Sequence, residues 1–132
     1  MNKLISLILG FAFVLFLPAP SMAQMGDFKN TTPEERAQKL TSTMQSDLSL
    51  DEETTKAVSE INLKYAKEAQ TVMDSSGTQF GKAMTFRKNE QAKDAELKGV
   101  LSPEQYSQYE EKKSAMRDTM KQKFMEKRQA AQ

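Results

Sequence analysis

The sequence predicts an all-α fold of four helices. Three observations carry that expectation. Apolar residues recur at three- and four-residue spacing along most of the chain after residue 32, three of four helical segments open on a helix-capping residue, and no stretch alternates apolar and polar residues as a half-buried strand would.

Residues 1–23 stand apart from the fold and read as a cleavable secretory signal peptide. Lys3 supplies the positive start, Leu4 to Leu17 is an uncharged apolar run of 14 residues, and Pro18 and Pro20 end it. Ser21 and Ala23 place small residues at the positions a signal peptidase reads. The run is shorter than the roughly 20 residues a membrane-spanning helix needs, so no stable membrane insertion is expected. Without any cysteine, the junction at Ala23-Gln24 has no lipoprotein-processing site, and the mature chain is expected free in the periplasm.

Residues 24–31 form a short polar lead-in, and residues 32–130 a single helical domain. Thr32-Pro33-Glu34-Glu35 opens helix 1 with a hydroxyl N-cap, proline at the first helical position and acids at the positive end of the helix dipole. Ala37, Leu40, Met44 and Leu48 form its stripe. Asp51 caps helix 2, whose face runs Thr54, Val58, Ile61, Tyr65, Ala69 and Val72, with Leu63 opposite. Asp74-Ser75-Ser76-Gly77 stops it, with glycine suited to a left-handed C′ position.

Helix 3 is expected from about Thr78 to Lys98, with Gly99 as its breaker. Phe80, Met84 and Phe86 lie near its start and Leu97 and Leu101 near its end. Arg87, Glu90 and Asp94 occupy the face between them, making it the least core-like of the four. Ser102-Pro103-Glu104-Gln105 opens helix 4 with a capping box. Tyr106, Tyr109, Met116, Met120 and Phe124 form its stripe, interrupted by Lys113.

Composition narrows the function. Removing residues 1–23 leaves 109 residues with 18 basic and 18 acidic side chains. A neutral chain is a poor nucleic-acid binder, which needs positive charge to displace counterions. The charge is polarised, however. Residues 24–54 hold seven acids against three bases, and residues 112–132 hold seven bases against two acids. That asymmetry favours antiparallel docking of the two ends, within or between chains. Only 14 of the 109 residues are Leu, Ile, Val or Phe, so narrow helical stripes completed by dimerisation are expected.

An enzyme is not expected. The chain has no His and no Cys, which removes the commonest general base, the soft metal ligands and the thiol nucleophile. The adjacent pairs Glu34-Glu35, Glu52-Glu53 and Glu110-Glu111 diverge around a helix and converge on nothing. No glycine-rich phosphate loop or calcium loop is present, and neither metal nor cofactor is expected. Within residues 24–132, seven methionines against one isoleucine are the unusual feature. Methionine is flexible and polarisable and suits surfaces that accept apolar partners of varied shape. Met44, Met116 and Met120 fit a thin core, whereas Phe80, Met84, Phe86, Arg87 and Met125 are candidates for exposed contacts with a client.

A signal peptide, four helices and Leu101-Ser102-Pro103-Glu104-Gln105 at the last loop-to-helix junction resemble the LTxxQ-motif Spy/CpxP family of periplasmic chaperones. The second motif of that family is matched with Ser for Thr, which keeps the capping hydroxyl. The first corresponds to Leu50-Asp51-Glu52-Glu53-Thr54, where Asp replaces Thr and Thr54 replaces Gln. Leu50, Asp51, Leu101, Ser102 and Gln105 are thereby fold-setting residues. The resemblance implies a cradle-shaped antiparallel homodimer that holds unfolded or partly folded envelope proteins without ATP, in a setting of envelope stress. The competing expectation is a regulatory or structural protein that docks one defined envelope partner.

Overall fold

The computed structural model describes residues 30–131; the segment expected to be a signal peptide and residues 24–29 of the lead-in lie outside the described residues. Four helices follow one another: α1 Pro33–Leu48, α2 Glu52–Asp74, α3 Gln79–Val100 and α4 Pro103–Ala130. Among the described residues there is no strand, as the missing alternation required. All four helices belong to one unit, Thr31–Gln132.

Local chemistry sets each start. Thr32 and Ser102 form reciprocal capping boxes with Glu35 and Gln105, and Asp51 and Thr78 accept from the third backbone N–H of α2 and α3. Each cap satisfies a donor that the first turn leaves without an intrahelical acceptor. α1 ends differently. Ser49 takes the left-handed conformation at φ 51°, and the Leu50 N–H reaches the Gln45 carbonyl at 3.1 Å, a Schellman closure.

Paired residues fix the helix directions. Arg36 donates to Gln70, and Asn62 donates to Thr41, so α1 and α2 run antiparallel. Tyr65 bonds Glu96 near one end of the α2–α3 pair, and Lys82 bonds the Met73 carbonyl near the other, so these two are antiparallel as well. The core sits where the α1–α2 turn meets the α3–α4 junction. Met44, Leu48, Leu50, Val58, Ile61, Tyr65, Leu97 and Leu101 form it, with Tyr106 and Tyr109 packed against its edge. Of the helix 2 face read from the sequence, Val58, Ile61 and Tyr65 are buried and Thr54, Ala69 and Val72 are half-buried, as is Leu63.

Three sequence expectations are corrected. Gly99 does not break α3; the helix runs through it to Val100, and a Cβ placed on Gly99 would meet nothing within 4 Å. No described glycine has positive φ, so Gly77 supplies no left-handed cap, and α2 ends on Ser75 in extended conformation. Leu40 is exposed, its place in the α1 interface being taken by Thr41, which is buried and bonds back to the Ala37 carbonyl.

Candidate interaction surface

The segments from Leu50 to Thr54 and from Leu101 to Gln105 lie together. Leu50 and Leu101 are both buried and both belong to the one core cluster. Asp51 Oδ1 accepts the Thr54 N–H at 2.7 Å, and this bond holds the Asp51 carboxyl below the usual carboxylate range. Ser102 Oγ accepts the Gln105 N–H, and Gln105 Oε1 accepts the Ser102 N–H in return. All five carried-over residues therefore set helix starts and junction packing, which is structural work.

A polar cluster outside those motifs pins α4 to α3. Tyr109 OH donates to Asp94 Oδ1 at 2.8 Å, and Lys113 Nζ bridges Asp94 at 2.6 Å and Glu90 at 3.1 Å. Lys93 adds a contact to Glu90 at 2.9 Å. Burial pushes the Tyr109 phenol well above its ordinary range, with the Asp94 hydrogen bond adding to the shift. Partial desolvation works to raise the Glu90 carboxyl, but Lys93 and Lys113 outweigh it and hold it below the usual range. The polar middle of helix 3 thus has a structural partner in the lysine that interrupts the helix 4 stripe. Sequence spacing placed both on their faces without saying that they meet.

Past Lys113, α4 leaves the fold. Every residue from Ser114 to Ala131 is exposed. Met116, Met120, Phe124 and Met125 retain about half or more of their accessible surface, Phe124 as much as 62 %. Met116 and Met120 were expected in the core and are not: no other described helix comes against them, so their stripe has nothing to bury into. Of the candidate contact residues, Phe80 (77 % exposed), Met84, Arg87 and Met125 are exposed, whereas Phe86 is half-buried. The surface therefore has two parts: Phe80, Met84 and Arg87 on the first half of α3, and Met116, Met120, Phe124 and Met125 on the second half of α4. The readable signal for the second part was Lys113, a charge placed where a core stripe needs an apolar residue.

Other chemistry is sparse. An open groove of about 800 Å³ between α1 and α2 is walled by polar groups such as Gln38, Ser42, Glu53 and Lys56, which present no base paired with a nucleophile. Among the described residues no group of three acids is arranged to hold a metal ion, and no helix is long and apolar enough to cross a membrane.

No curated protein and no solved structure matches the chain. A family profile does, over residues 22–109, which span α1, α2, α3 and the first turns of α4. The chain belongs to the family described as a domain of unknown function, DUF4890.

Proposed function

We propose that this protein is a periplasmic, ATP-independent chaperone that holds unfolded or partly folded envelope proteins and suppresses their aggregation. The observation that carries the reading is the distal half of α4, a helix exposing Met116, Met120, Phe124 and Met125 amid lysines and arginines, with nothing described packed on it. Exposed apolar side chains in series mark interaction surfaces, and methionine adapts to partners of unlike shape. Flanking bases attract acidic chains over long range, and screening by salt keeps that attraction weak enough for release. The Leu101-Ser102-Pro103-Glu104-Gln105 segment and the amino-terminal apolar run support the same reading through the resemblance already described.

The homodimer belongs to this proposal. The opposed charges of the chain's ends favour a basic α4 of one copy near the acidic start of α2, Glu52 and Glu53, of the other. Antiparallel pairing of α4 on α4 is disfavoured, because Lys113 would face Lys127 and Arg117 would face Lys123.

The test is aggregation of several chemically unfolded clients, followed by light scattering with the mature protein at equimolar and modest excess. Suppression across unrelated clients, without nucleotide, is expected. Failure with all of them refutes the reading and leaves the protein that docks a single defined partner. Static light scattering of the mature protein alone should give twice the monomer mass; a monomer at high micromolar concentration refutes the dimer.

A further inference from the structure

The exposed residues of α3 and α4 share one register. The contacts Asp94–Tyr109 and Glu90–Lys113 show that each turn taken back along α3 is matched by a turn forward along α4. Continuing that register brings Arg87 level with Met116, Ala83 and Met84 level with Met120, and Phe80 level with Phe124. The spacing on each helix agrees. Leu97, Asp94, Glu90, Arg87, Ala83 and Phe80 follow one another at intervals of three and four, as do Tyr106, Tyr109, Lys113, Met116 and Met120. These are the two halves of a helix–helix seam. Its base is closed, with Leu97 buried and the Tyr109–Asp94–Lys113–Glu90 cluster joined. Its upper part is open, since Phe80, Met84, Met116, Met120 and Phe124 would all lose exposure if the helices met there.

Charge explains why the upper seam does not close on itself. The charged side chains at or beside it are Arg87 on α3 and Arg117, Lys123 and Lys127 on α4, all basic, and none of the four has an ion pair among the described residues. By the 3.6-residue period Asp118 falls on the far side of α4 and Glu126 on its flank. Apolar walls edged by unpaired bases fit an occupant that is apolar on one face and acidic beside it.

We infer that the open α3–α4 seam is a binding seat for an amphipathic, acid-bearing helical segment of a partner protein, which enters as a third helix between Phe80 and Met84 on one side and Met116, Met120 and Phe124 on the other. This rests on the chaperone reading and adds which part of a client is gripped, and where. The occupant brings the apolar stripe that neither wall supplies to the other, and its carboxylates meet the four bases.

The probe is a fluorescein-labelled synthetic helical peptide with leucines at heptad spacing and glutamates elsewhere. The controls are the same peptide with lysine for glutamate and with serine for leucine. Anisotropy should show binding of the acidic leucine peptide alone. Phe80→Ser with Met84→Ser, and separately Met120→Ser with Phe124→Ser, should each weaken it tenfold or more, with helicity by circular dichroism unchanged. Loss from only one of the two pairs means a single helix face and overturns the seam. Two other results also overturn the proposal: a dimer that dissociates on Phe124→Ser, which makes a second copy the occupant, and binding to anionic phosphatidylglycerol vesicles in place of the peptide. Client-aggregation assays run on the same variants separate the two claims. Suppression without peptide binding sinks the seam alone, and absence of both sinks the chaperone reading.

Discussion

Gln105 bonds the last carbonyl of α1 while it caps α4: its Oε1 accepts the Ser102 N–H at 3.0 Å and its Nε2 donates to the Leu48 carbonyl at 3.4 Å. One side chain thus closes a capping box and ties the start of the fourth helix to the end of the first. Lys112, bridging Asp47 at 2.9 Å two turns further on, holds the same pair of helix ends. This double duty explains why glutamine at this position is more than a helix-start preference.

The two duties are separable by substitution. Gln105→Ala removes both and should cost about 1–2 kcal/mol of unfolding free energy, the range for a lost cap plus a partly buried hydrogen bond. Gln105→Glu keeps the acceptor for Ser102 and loses the donor to Leu48. It also sets a carboxylate against the negative end of the α1 dipole. It should fall between wild type and alanine in urea denaturation followed by circular dichroism. A glutamate variant as stable as wild type would show that the tie to Leu48 contributes nothing.

Gly99 gives a stabilising prediction. It lies within α3 with ordinary negative φ and open space around its missing Cβ. Glycine in a helix interior costs roughly 0.5–1 kcal/mol relative to alanine through backbone entropy. Gly99→Ala should therefore raise stability by about that amount with no change in fold. A destabilised variant would mean that Val100 and Leu101 depend on a bend at this residue.

The contrast between Gly99 and Ser49 shows how much was legible in the sequence. Capping chemistry is local, so Thr32, Asp51 and Ser102 announced three of the four helix starts, and Thr78 the fourth to within a residue. Chain breaks depend on what the following residues gain by continuing. At Gly99 the burial of Leu97 and Leu101 carries the helix onward, whereas at Ser49 a residue without glycine's freedom at positive φ takes the left-handed conformation, because that lets Leu50 enter the core. The interaction surface was half readable for a similar reason. Periodicity assigns Met116 and Met120 to a stripe, but whether a stripe is covered depends on a neighbouring helix. Here the polar Glu90–Asp94 face of α3 takes Lys113 and Tyr109 and no more.

Asn62 and Thr41 offer a buried polar pair for dissection. Asn62 Nδ2 donates to Thr41 Oγ1 at 3.0 Å, Thr41 donates in turn to the Ala37 carbonyl, and Asn62 Oδ1 is buried with no hydrogen bond. Thr41→Val strips the amide of its acceptor, leaving only the Met44 sulfur at 3.6 Å, and should cost about 1–3 kcal/mol. Asn62→Leu removes the unsatisfied oxygen together with the amide and should be near neutral or stabilising. The double variant should then recover most of the Thr41→Val loss in urea midpoints, and strict additivity of the two changes would refute the coupling.

Stability should decline at both ends of the pH scale for reasons that lie at the base of the α3–α4 seam and in the α2–α3 contact of Glu96 with Lys64 and Tyr65. At the acid end, Glu90 is held below the usual carboxylate range by Lys93 and Lys113 against its own desolvation, and Glu96 by hydrogen bonds from Lys64 and Tyr65. A carboxyl with a lowered folded pKa contributes fully above its unfolded value, and that contribution is lost as pH falls through the folded one. The acid loss therefore lies below the ordinary glutamate range, and Glu90→Gln should flatten it. At the alkaline end the sign reverses. The Tyr109 phenol is raised by burial and by Asp94, and Tyr65 and Tyr106 are raised as well. Their contribution is complete below the unfolded tyrosine pKa and is lost as pH climbs through and past it. Urea midpoints measured across pH should therefore fall above the ordinary phenol range, and Tyr109→Phe should make that fall shallower while leaving the acid limb in place. An alkaline limb unchanged by Tyr109→Phe would mean that the Asp94 hydrogen bond does not hold the phenol protonated, and that Lys113 alone pins α4 to α3.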